Sequence, residues 1–76
     1  MSTLAGEITS KTSEAIAQFE MAIAADPDYA EPHSSLADVL ALQGNIDDAI
    51  AHYRRALEID PSFAHAKQHL GQLLNR

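Results

Sequence analysis

This sequence predicts an all-α fold of antiparallel helix-turn-helix repeats, and three observations carry the prediction. Alanine supplies much of an apolar fraction of 46%, beside only two tyrosines, two phenylalanines, three glycines and three prolines. It is the strongest helix former. Apolar side chains recur three and four residues apart, as they do along one face of a helix. The chain also repeats itself: Asp26-Pro27 returns as Asp60-Pro61, and self-similarity at such a period marks stacked structural units.

The first helical pattern, near 13–25, carries Ala15-Ile16-Ala17, Phe19, Ala22 and Ile23, and ends at Asp26-Pro27. At the offset set by the Asp-Pro pairs these recur as Ala49-Ile50-Ala51, Tyr53, Ala56 and Leu57 in the third pattern, near 47–59. The second pattern, near 30–42, is set by Leu36, Ala37, Val39 and Leu40, and its counterpart near 64–75 carries Leu70, Gly71, Leu73 and Leu74. Gly44-Asn45 separates the second and third helices, with Asn45 or Asp47 expected to cap the third through its side chain. Asp60-Pro61 stops it, because proline disfavours helical geometry in the residue before it and suits the first turn of a new helix. Connections this short make neighbouring helices antiparallel.

Residues 1–12 do not repeat in register and leave three conformations open. They are a frayed tail, a short helix packed on residues 15–23, or one long helix from Leu4 to Ala25 that would expose an apolar stripe and invite self-association. Ser10, Thr12 and Ser13 read as helix-start residues. The expected organisation is a tail or partial helix at 1–12 and a repeat domain at 13–76.

The pattern resembles the tetratricopeptide repeat, or TPR, whose unit has the same period and runs W-x₂-L-G-x₂-Y, then A-x₃-F, then P. The complete repeat is similar at His33, Leu36, Ala37 and Leu40, then at Ala49, Tyr53, Ala56 and Pro61. Ala15, Phe19, Ala22 and Pro27 supply a half repeat before it, and Lys67, Leu70, Gly71 and Leu74 another after it. The resemblance spans 13–76 and implies a short TPR-type solenoid. Small residues at Ala37, Ala49 and Ala56 suit helix axes only about 8–10 Å apart, with Leu36, Leu40 and Tyr53 filling the space around them. His33 and Lys67 depart from the family's tryptophan. The polar segment from His65 to Gln72 looks like the solvating helix that closes such arrays. Asn75-Arg76 is expected as its end, with Arg76 complementing the negative helix terminus. One complete repeat falls short of the roughly three that arrays need, which raises a homodimer, or membership of a longer array, as alternatives.

Composition excludes several functions. No cysteine means no disulfide, thiolate metal site or thiol nucleophile. Eleven acidic side chains against five basic ones, a net charge of −6, argue against nucleic-acid binding, which needs a basic face. No apolar run reaches the roughly 20 residues of a membrane span. Residues 1–6 have neither a basic flank nor an apolar stretch, so no secretory signal is expected and the cytoplasm is the expected compartment. Nine acids and one base in residues 1–50, against four bases and two acids in 51–76, leave three readings open: solubility of a small domain alone, head-to-tail stacking, or attraction of a basic partner segment to the front.

By resemblance, the helix faces not used in packing form a groove for a peptide or partner protein. Here that face would carry Glu31, Ser34, Asp38 and Ala41 from the second helix and His65, Gln68, Gln72 and Asn75 from the fourth. Family members that clamp chaperone carboxylate tails use lysine, arginine and asparagine, which Ser34, Ser35 and Asp38 do not match. His65 and His69 have the four-residue spacing that lets two imidazoles reach one ion. Without a third ligand nearby, and with His33 and His52 on other helices, no metal site is expected, and no cofactor. No phosphate loop, nucleophile elbow or HExxH is present, and Asp47 and Asp48 sit where helix caps belong. The expected function is therefore a non-enzymatic protein–protein interaction module. A self-assembly element, as homodimer or head-to-tail stack, is one alternative and a regulatory appendage of a larger enzyme another.

Overall fold

The computed structural model describes residues 3–75, with side chains from residue 11 onward. Four helices follow one another: α1 (Thr3–Ala25), α2 (Ala30–Leu42), α3 (Ile46–Ile59) and α4 (Ala64–Leu74). They stack in chain order, α1 on α2, α2 on α3 and α3 on α4, with the α2–α3 pair packed most extensively. Among the described residues there is no strand, and no helix is long and apolar enough to cross a membrane.

Of the three conformations open to the start of the chain, the long helix is observed over the described residues. With no proline before Pro27, nothing interrupts α1 between Thr3 and Ala25. Ser10, Thr12 and Ser13 consequently lie within the helix and do not start it.

The turns are written into the sequence twice. At the end of α1 the Asp26 amide bonds back to the Ala22 carbonyl at 3.0 Å, and the Asp26 carbonyl accepts the Tyr29 amide at 3.1 Å. At the end of α3 the Asp60 amide bonds to Ala56 at 2.8 Å, and the Asp60 carbonyl accepts the Phe63 amide at 3.0 Å. Each aspartate also turns its carboxylate onto the backbone two residues on, Asp26 accepting from the Asp28 amide and Asp60 from the Ser62 amide. Such a side chain imitates a backbone turn. Asp60 is held extended at φ −134° and ψ 91°, as a residue before proline must be.

The α2–α3 turn closes differently. Gly44 takes φ 85°, its amide bonds to the Ala41 carbonyl at 3.0 Å, and the Asn45 amide reaches back to Leu40 at 2.9 Å. This is a Schellman closure, which needs a left-handed residue just past the helix end. Asn45 is the residue that opens α3, but its side chain makes no capping bond to the helix; its side-chain amide instead donates to Gln43. Asp47 lies inside the first turn with Asp48, where their charges face the positive helix end.

The core is mostly alanine. Ala30, Ala37, Ala49, Ala56 and Ala66 are buried with Leu36 and Tyr53, and Leu40, Leu57, Phe63, Leu70 and Leu73 pack around them half-buried. His33, where tryptophan is the family's choice, is buried but satisfied. Its Nε2 lies 3.2 Å from the Pro27 carbonyl, which only an N–H can serve. Its Nδ1 is therefore free to accept from His52 Nδ1 at 3.4 Å. A polar staple thus joins the α1–α2 turn, α2 and α3 where an indole would have filled space. Lys67 is exposed on α4, so its charge stays in water. The cap expected of Arg76 lies outside the described residues.

Candidate functional site

Where α2, α3 and α4 meet, their packing leaves a cleft of about 340 Å³ lined by Asp38, Ala41, Leu42, Tyr53, His69, Gln72 and Leu73. Each helix contributes at its own period: Asp38, Ala41 and Leu42 lie three and four apart on α2, and His69, Gln72 and Leu73 do the same on α4. Tyr53 comes from α3 and forms the floor. Its ring is buried, stacked against His69 with centroids 6.1 Å apart, and its hydroxyl donates to Asp38 Oδ1. Burial is the largest influence on this phenol, followed by the bond to Asp38 and that carboxylate's charge; all three push its pKa above the ordinary value. Tyr53 therefore stays a neutral donor.

The other side of Asp38 is occupied by α4. His65 Nε2 lies 2.8 Å from Oδ2 and 3.0 Å from Oδ1, and the His65 and His69 rings face each other with centroids 4.1 Å apart. A phenol, a carboxylate and two imidazoles thus form a continuous polar wall beside an apolar lining of Ala41, Leu42 and Leu73. The second histidine pair, His33 and His52, is not part of the cleft lining. Burial, then the neighbouring His33, lower the pKa of His52, with Asp48 and Glu20 opposing them.

The eight residues expected on the groove face separate in the structure. Asp38, Ala41 and Gln72 converge on the cleft, and His65 stands at its edge through Asp38. Ser34 is only 1% exposed, its Oγ without a hydrogen-bond partner among the described residues, so it underlies this face. Glu31 lines a different depression with Asp28, Tyr29, Ile59 and Phe63. Gln68 and Asn75 are exposed and outside the cleft lining, Asn75 as the residue that ends α4. Leu42, Tyr53, His69 and Leu73 line the cleft without being among the expected groove residues. The position of His69 and Leu73 three residues before and one after Gln72 on one helix is the available signal, whereas Tyr53 reads as core. His65 and His69 do have a third neighbour: Asp38, on α2 and distant in the chain, completes a set whose ligand atoms lie within 4.8 Å of one another.

No curated protein matches the chain. A family profile described as Tetratricopeptide repeat matches residues 9–62, the stretch that holds both Asp-Pro pairs, most of the alanine core, most of α1 and all of α2 and α3. The chain therefore belongs to the tetratricopeptide repeat family, whose members are interaction repeats.

Proposed function

We propose that this protein docks a peptide or partner segment in the cleft between α2 and α4. The observation that carries this reading is the cleft itself, an apolar slot rimmed by hydrogen-bonding groups. Ala41, Leu42 and Leu73 offer a seat for one apolar side chain, and Asp38, His69 and Gln72 offer partners for the peptide around it. Recognition sites are commonly built this way, with apolar walls and a few convergent polar groups. Leu42 is 89% exposed, so covering it is favourable and its truncation leaves the core untouched. The acidic front of the chain favours a basic segment flanking the apolar anchor.

A peptide library selected on the wild-type domain, followed by affinity measurement on the double variant L42A/Q72A, tests the assignment. Both substituted side chains are exposed and alanine keeps the helices, so helicity should be unchanged while affinity falls by roughly tenfold. Equal affinity for both proteins, with equal circular dichroism, overturns the cleft as the docking site.

A second reading, self-association, is favoured by α1. At 23 residues it is far longer than the 13 of α2 on which it packs, and it exposes Met21. A single monomer mass by sedimentation across a wide concentration range eliminates this reading.

A further inference from the structure

We infer that Asp38, His65 and His69 form a binding site for one borderline divalent transition-metal ion of the zinc class. The donors are two imidazoles and a carboxylate, the set that suits zinc, cobalt, nickel and copper better than magnesium or calcium. They come from two helices whose relative position is fixed by the fold. His65 and His69 are one turn apart on α4, and Asp38 faces them from α2 with their ligand atoms all within 4.8 Å of one another. An ion with bonds of about 2.0–2.2 Å holds neighbouring donors roughly 3–3.5 Å apart. Closing that difference takes small side-chain rotations, for which His65, 44% exposed, and Asp38, 36% exposed, have room.

The surroundings support ligation. The Tyr53 hydroxyl donates to Asp38 Oδ1 and helps fix the carboxylate, whose Oδ2 lies 2.8 Å from His65 Nε2, as hydrogen bonds to metal-bound carboxylates commonly do. The Tyr53 ring stacks on His69 and restrains its imidazole. Three protein ligands leave at least one coordination position for water or a group brought by another molecule. Because Asp38 and His69 also line the cleft, that position adjoins the seat of any docked segment. The inference stands on the three donors alone and does not require peptide docking.

The full chain, without an affinity tag, is titrated with zinc chloride by calorimetry while imidazole resonances are followed by NMR. One equivalent should saturate, shifting His65 and His69 and leaving His33 and His52 in place. Asp38→Asn and His69→Gln should each weaken zinc binding roughly tenfold or more with helicity retained, and His52→Gln should leave it unchanged. Magnesium should produce no shift. Absence of saturable zinc binding, equal response of all four histidines, or wild-type affinity in D38N and H69Q would overturn the site.

Discussion

Replacing Ala56 with leucine adds three carbon atoms at a position with 0% exposure, in the cluster that also holds Ala37, Ala49 and Tyr53. Extra carbon in a close-packed interior forces neighbours off their rotamers or separates the helices, at a cost of about 1–3 kcal/mol. A domain of this size has a total stability of about 4–11 kcal/mol, and each kcal/mol moves its melting point by about 4–8 °C. The expected fall is thus at least about 4 °C and can exceed about 15 °C. Ala51→Leu supplies the control, because Ala51 is on the same helix but exposed, and leucine is nearly as good a helix former as alanine. Its stability should stay within about 0.5 kcal/mol of the wild type. Thermal unfolding of both variants followed by far-UV circular dichroism decides the matter. Equal melting points for A56L and A51L would refute the claim that helix approach is limited by the alanines.

Tyr53→Phe should cost about 1 kcal/mol, less than the roughly 1.5–3 kcal/mol of bonds to charged groups, because Asp38 is partly exposed and can be rehydrated; no loss in urea unfolding would mean that the bond adds nothing. Phe19 occupies the equivalent position of the preceding half repeat, so a phenyl ring is compatible with such a site. Gly44→Ala should cost about 1 kcal/mol although nothing lies within 4 Å of the added carbon, since φ 85° is strained for any side chain; an unchanged unfolding midpoint would contradict this. The lowered pKa of His52 makes the unfolded chain the stronger proton acceptor. Stability should therefore fall as pH drops through about 6.5 and level off once the folded imidazole protonates. Denaturant midpoints measured from about pH 7 to 5 should decline less in His52→Gln than in the wild type.

Periodicity carried the fold because helix position is a local property. The duplicated Asp-Pro pairs located the ends of α1 and α3, and the spacing of Leu36, Val39 and Leu40 located α2. Side-chain capping by Asn45 failed because the Schellman closure at Gly44 already directs the chain, and its backbone bonds leave the Asn45 side-chain amide to Gln43. The site was less legible for a related reason. Helical spacing gives the direction in which Ser34 and Asp38 point, one turn apart on α2, but not how deeply each is covered. That depth depends on how α3 and α4 lie against α2, which no local pattern contains. The meeting of Asp38 with His65 and His69 has the same origin, being a product of repeat stacking between helices that are not consecutive. Tyr53 illustrates the opposite limit: one side chain serves as core filler by its ring and as a cleft group by its hydroxyl, and sequence pattern reveals only the former.

Among the described residues, α4 packs chiefly against one neighbour. Its main support is α3, so in native-state hydrogen exchange its amides should open by local detachment while those of α2 and α3 wait for global unfolding. One wall of the cleft belongs to α2 and the facing wall to this more lightly supported helix, so an occupant that touches both adds contacts between two helices that are not consecutive. Binding would then be recorded most strongly as slowed exchange along α4, including at residues the occupant never reaches, and α4 would report whether the cleft is filled.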